Sequence, residues 1–167
     1  MTATDKLLPV KRRMTPIWSS LGVFLALALG CSNPDKEAAW EIIRMPPEQR
    51  GQALSRLPPE KQMDIFVYAD TKIEPPMTLA LEVASNWKSM LPVVTQRLAS
   101  ETDARTLPGL MMILFAVSAN YCALSERDDV LIAASRAVKK IDAPYRDAAE
   151  RQLKEITHPQ NKLPPCR

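Results

Sequence analysis

Up to residue 30 the apolar positions run together; beyond it they recur every three or four residues between prolines. The second rhythm is that of amphipathic helices. Asn33-Pro34-Asp35-Lys36-Glu37 sets a capping residue, a first-turn proline and acids ahead of Ala39, Trp40, Ile42 and Ile43, predicting a helix from about residue 34. Pro46-Pro47-Glu48 opens a short second helix carrying Ala53, Leu54 and Leu57. Pro58-Pro59-Glu60 repeats the device, and Met63, Phe66, Val67 and Asp70 follow along one line with Ile65 and Ala69 beside it. Pro75-Pro76 ends that segment and starts a fourth, striped by Leu79, Ala80, Val83, Ala84 and Trp87.

A fifth helix is expected from about Lys88 to Ala99, with Pro92 in its first turn and Leu91, Val94 and Leu98 inward. Leu107-Pro108-Gly109 separates it from Leu110-Met111-Met112-Ile113-Leu114-Phe115-Ala116-Val117. That segment is apolar on all sides, which predicts a central helix covered by its neighbours, its methionines packing in the core. Ser125-Glu126-Arg127-Asp128 has the form of a capping box ahead of Val130, Ala134, Ala137 and Ile141. Asp142-Ala143-Pro144 opens an eighth helix with Tyr145, Ala149, Leu153 and Ile156 inward. Its other face carries Asp147, Glu150, Arg151 and Lys154 at pairing distance of one turn. The tail from Thr157 to Arg167, with three prolines, reads as irregular.

Composition agrees with this pattern. Only Gly51 and Gly109 occur after residue 30, and β-branched alternation is scarce. The fold class is all-α: about eight short helices stacked as antiparallel hairpins in a single domain over 34–156.

The first 30 residues belong to another kind of object. Lys6, Lys11, Arg12 and Arg13 precede the 14-residue apolar stretch Ile17–Gly30, and small residues lie before a cleavage point: the parts of an export signal. The stretch is short for a membrane span, which needs about 20 residues. Leu27-Ala28-Leu29-Gly30-Cys31 resembles the signal of bacterial lipoproteins across residues 1–32, departing at Ala28, where the family more often carries Leu. The resemblance implies cleavage between Gly30 and Cys31 and a diacylglycerol on the Cys31 thiol, with a further acyl chain on the new amino group in many Gram-negative bacteria. Two or three chains hold a protein firmly where one is marginal. Ser32 after the lipidated position looks like an outer-membrane address, so the expected location is the periplasmic face of the outer membrane, with residues 31–33 as tether.

Charge sharpens the reading. The chain holds 22 basic and 19 acidic residues, and residues 1–30 account for four of the bases and one acid, Asp5. The remainder balances at 18 against 18. A nucleic-acid surface needs a basic excess or patch, so no nucleic-acid partner is expected.

Candidate chemistry is sparse. His158 is the only histidine and stands just past the last helix, where partial positive charge is favoured. No Gly-rich phosphate loop, G-x-S-x-G elbow or H-E-x-x-H is present in the sequence. One His and two distant cysteines beyond Cys31 do not suggest a zinc site. Asp128-Asp129, or Glu101 with Asp103, offer paired carboxylates of the glycosidase type, but their places at helix starts suit capping and dipole roles. No catalytic residue, cofactor or metal ligand is assigned, and no enzyme activity is expected. Cys122 and Cys166 form a candidate disulfide in an oxidising compartment; the alternative is a buried thiol beside Tyr121 and a free Cys166.

From Leu57-Pro58-Pro59-Glu60-Lys61-Gln62 through Lys72-Ile73-Glu74-Pro75-Pro76 and Leu91-Pro92-Val93-Val94-Thr95-Gln96-Arg97-Leu98 to Ile141, the chain resembles small bacterial envelope proteins built from HEAT-like helical hairpins. That likeness covers roughly residues 55–157 and brings no activity with it. The leading expectation is a lipid-anchored, non-enzymatic module that binds or scaffolds an envelope protein, with Trp40 or Trp87 as first contact candidates. An inhibitor or immunity-type protein is the first alternative, and a carboxylate-dependent envelope hydrolase the second.

Overall fold

Proline opens each of the first three helices: α1 (Pro34–Arg44), α2 (Pro47–Ser55) and α3 (Pro59–Lys72). At that position the missing N–H has no intrahelical acceptor to lose, and the fixed φ is already helical. Glu48 and Glu60 follow in the first turns of α2 and α3, where the helix dipole favours an anion. Five more helices follow among the described residues: α4 (Met77–Ser85), α5 (Trp87–Ser100), α6 (Leu107–Asn120), α7 (Asp128–Lys140) and α8 (Arg146–Thr157). This computed structural model describes residues 34–72 and 77–166.

The helices pair by parity. α1, α3, α5 and α7 pack in succession as one layer, and α2, α4, α6 and α8 as the other. Within the pairs α1–α2, α3–α4, α5–α6 and α7–α8 the helices also pack across the layers, so the described residues form a two-layer stack of four helical hairpins, all-α as the periodicity predicts. Pro34–Arg167 forms one compact unit.

Helix α6 is the hub. Leu107, Leu110, Met111, Ile113, Leu114 and Val117 are buried, with Met112 and Phe115 partly so. It touches α4 and α8 in its own layer, α5 and α7 opposite, and α3 more lightly. An apolar circumference leaves no stripe for solvent, so this helix has to be enclosed.

Two polar links tie hairpin to hairpin. The buried Gln62 donates through Nε2 to the Leu57 carbonyl at 2.8 Å, and its Oε1 accepts from Asn86 Nδ2 at 3.3 Å. Asn86 is the single residue between α4 and α5, so these hydrogen bonds fix that corner to the turn before α3. Lys140, at the end of α7, donates to the Glu101 carbonyl beyond α5 at 3.2 Å. Helices α5 and α7 therefore run side by side with their C-terminal ends together.

Several local expectations are corrected. Leu107-Pro108-Gly109 is not a separator but the first turn of α6; residues 101–106 make the break, closed by hydrogen bonds from the Thr102 and Asp103 N–H to Glu101 Oε1. Pro92 sits in the second turn of α5, because the helix already starts at Trp87. The capping box at Ser125 does not form. Helix α7 starts at Asp128 with Arg127 at the cap position and no side-chain cap, since Arg127 turns to pair with Asp129. Tyr145 is not inward: α8 begins after it, at Arg146, and Tyr145 is 61% exposed. Asp147, Glu150, Arg151 and Lys154 are all exposed and, among the described residues, make no ion pair with one another. The Ala143–Pro144 peptide bond is cis.

The Pro-rich tail has no helix but is tied down. A disulfide joins Cys122, after α6, to Cys166, with Cα atoms 5.0 Å apart. Ala123 N–H donates to the Pro164 carbonyl at 2.8 Å, and Cys166 N–H to the Ala123 carbonyl at 3.0 Å. Asn161 Nδ2 adds a bond to the Ala119 carbonyl at 3.1 Å. Residues 158–166 thus lie against the end of α6, and both cysteines are buried.

Candidate functional site

The odd layer presents two grooves that share one residue. Between α3 and α5, Glu60, Met63 and Asp64 face Val93, Gln96, Arg97 and Ser100 around about 200 Å³. Between α5 and α7, Pro92, Thr95, Gln96 and Ala99 face Arg127, Asp129, Ile132, Ala133 and Arg136 around about 380 Å³. Gln96 lines both, so the two form one corrugated face with α5 as the central ridge. The cause is in the sequence. Small or short side chains (Ala99, Ala133, Thr95) stand where two parallel helices meet, and the gap is not filled from either side.

Ile132 dominates the second groove. It is 52% exposed, the most solvent-accessible aliphatic side chain among the large exposed apolar residues Trp40, Leu81, Ile132 and Tyr145. Pro92 stands across from it. Charge lies at the groove's rim: Arg127 Nε and Nη2 meet Asp129 Oδ1 and Oδ2 at 3.0 and 2.8 Å. Those hydrogen bonds hold the Asp129 carboxyl below its ordinary pKa and raise that of Arg127. In the first groove, Arg97 Nη2 pairs with Asp64 Oδ1 at 2.9 Å. The pairs are solvated, so they shape the rim more than they stabilise the fold. A third recess, about 330 Å³, lies between Phe115, Ser118 and Ala119 of α6, Glu155, and Pro159, Gln160 and Asn161 of the tail.

The paired carboxylates considered as acid and base serve locally. Asp129 is held by Arg127, Glu101 accepts two loop N–H groups, and Asp103 Oδ1 accepts from the Arg105 N–H at 3.0 Å. His158 ends α8; its Nδ1 lies 2.9 Å from Thr157 Oγ1. Among the described residues no group of three His, Cys, Asp or Glu side chains is placed to hold a metal ion. Trp87 is half-buried against the core, whereas Trp40 is 37% exposed, with Arg44 Cζ 4.9 Å from its ring centroid. Gly30, Cys31 and Ser32 lie outside the described residues. No described helix is long and apolar enough to cross a membrane.

Two polar residues have roles that the sequence did not assign. Arg50 is 3% exposed and joins three helices. Its Nη2 donates to Glu82 Oε1 at 2.7 Å and to Thr78 Oγ1 at 2.6 Å, its Nε to Glu82 Oε2, and its Nη1 to the Ile43 carbonyl at 3.2 Å. The signal was present: Arg50 shares the line of Leu54 and Leu57, a cation on the apolar stripe. Asp70 is the other. Its carboxyl rests on Gly109 so closely that a Cβ there would stand 2.7 Å from its Cγ, and burial pushes its pKa up from 3.8 to about 6. A lone raised carboxyl beside a glycine needs no catalytic partner to explain it.

No protein-family model, no curated protein and no solved structure matches this chain.

Proposed function

We propose that the protein is a lipid-anchored, non-enzymatic binding module of the bacterial cell envelope that receives a partner protein on its odd layer. The observation that carries the reading is the double groove across α3, α5 and α7, with Ile132 exposed in it. Stacked helical hairpins provide extended faces of this kind, and grooves between parallel helices accept protruding side chains. An apolar side chain held above an open recess is a better anchor than a flat charged surface, because burying it removes apolar area from water on both partners. The export signal and Cys31 support the anchor, and the outer-membrane location rests on Ser32.

The test is an in-cell cross-linking pull-down of the full-length chain, quantified by mass spectrometry, beside a Cys31→Ser form. One stoichiometric partner, depleted in the Cys31→Ser sample, is the expected result. A Cys31→Ser protein that still fractionates with membranes, with no enriched partner in either sample, contradicts both the anchor and the binding role.

A further inference from the structure

We infer that helix α1 is a second membrane contact, in which Lys36, Trp40 and Arg44 lie against the phospholipid headgroups and set the orientation of the domain. The inference rests on the anchor reading above and extends it from attachment to pose.

Lys36, Trp40 and Arg44 stand at i, i+4 and i+8, so they follow one side of α1 over about 12 Å. All three are exposed and run along the flank of α1, between the buried Ala39, Ile42 and Ile43 and the outward line of Glu37 and Glu41. A cation, an indole and a second cation in line are the chemistry of an interface. The indole is amphipathic and prefers headgroup depth, while Lys and Arg reach phosphate oxygens with their stems along apolar surface. Arg44 already lies over the Trp40 ring, so one guanidinium can stack and still direct N–H groups outward. Glu37 and Glu41 form the adjacent line of the exposed surface. With Asp35 they give α1 three acids against two bases, so the contact is carried by Trp40 and its two flanking cations and not by the net charge of the helix.

Chain length puts the contact within reach. Three residue steps separate Cys31 from Pro34, which span at most about 10 Å when fully extended. Trp40 is six helical residues further, about 9 Å along the axis. A diacylglycerol on Cys31 therefore keeps the stripe within roughly one headgroup layer and one helix diameter of the hydrocarbon. A polar helix could be tolerated there. An exposed tryptophan between two cations is stabilised there. The α5–α7 groove lies two helices away within the same layer, which leaves it open to a partner.

The test uses the full-length gene expressed in cells, and the processed protein purified in detergent and reconstituted into phosphatidylethanolamine–phosphatidylglycerol vesicles. Intact mass first reports the lipid on Cys31. Tryptophan emission is then measured in vesicles containing phospholipids brominated on the acyl chain near the headgroup. Expected is quenching that Trp40→Phe abolishes, that Trp87→Phe leaves in place, and that Lys36→Glu with Arg44→Glu greatly reduces. Lipid on Cys31 with no quenching, or quenching indifferent to Trp40→Phe, overturns the orientation while the anchor stands, and leaves Trp40 to a protein. An unmodified Cys31 overturns the anchor and, with it, the membrane contact of α1.

Discussion

Arg50 is the residue whose removal should cost the fold most. Its guanidinium is enclosed among α1, α2 and α4, and the Glu82 side chain it meets is only 12% exposed. Replacing Arg50 with Met keeps much of the volume but leaves that carboxylate without its cation, together with the Ile43 carbonyl and the Thr78 hydroxyl. Breaking a buried pair from one side costs about 3–5 kcal/mol, because the remaining charge stays desolvated. Against a total stability of about 5–15 kcal/mol for a domain, that is a drop of roughly 10–20 °C in melting temperature. Removing both charges is a different matter. Arg50→Met with Glu82→Met exchanges the pair for apolar contacts, and the double variant should lie within about 1–2 kcal/mol of the parent. Urea unfolding of the four proteins, followed by far-ultraviolet circular dichroism, completes the thermodynamic cycle. A double variant as unstable as the sum of the singles would falsify the account, as would an Arg50→Met cost below about 1 kcal/mol, since solvent would then be satisfying Glu82.

Asp70 gives a stability change with a defined pH window. Its folded pKa, about 6, is above the ordinary 3.8, so its favourable contribution is present below 3.8 and is lost as pH rises through 6. The shift corresponds to about 3 kcal/mol, reduced to about 1–2 kcal/mol for partial solvent access; Asp70→Asn should therefore gain that amount at pH 8 and nothing at pH 3. Equal effects at both values would remove the burial argument. Gly109→Ala should cost about 1–2 kcal/mol by overpacking and return the Asp70 pKa towards 4 as the carboxyl is displaced, both readable by carbon-13 carboxyl titration; an unmoved pKa contradicts the contact. Replacing Cys122 and Cys166 together with Ala should cost up to about 4 kcal/mol for a separation of 44 residues and increase hydrogen exchange at Ala123. Unchanged exchange there would mean that Asn161 and the backbone bonds alone hold the tail.

The sequence announced most of the framework because its signals are local. Pro47 and Pro59 act within their own first turns, and Leu79, Val83 and Met111 report burial through spacing alone. Starts that depend on competition were harder to read. Ser125 has the right spacing for a cap, but Arg127 has a nearer partner in Asp129, and the helix starts two residues later than the capping box implied. Tyr145 sits on the expected inward line, yet its helix does not begin until it has passed. The grooves are the least legible part. They arise where Ala99 and Ala133, 34 positions apart, are brought together by the stacking of hairpins, and nothing in either local sequence marks the other. Arg50 and Glu82 are a pair of the same kind, 32 positions apart.

The most direct test of the binding reading places a photo-reactive benzoyl-phenylalanine at residue 132 in living cells, with residue 81 as control. Leu81 is also exposed, at 46%, but belongs to α4 in the even layer. One dominant cross-linked species is expected from position 132, with its loss when Ala99→Glu fills the groove and little product from position 81. Equal products from both positions, or a 132 product indifferent to Ala99→Glu, would contradict the assignment of the odd-layer groove as the binding face.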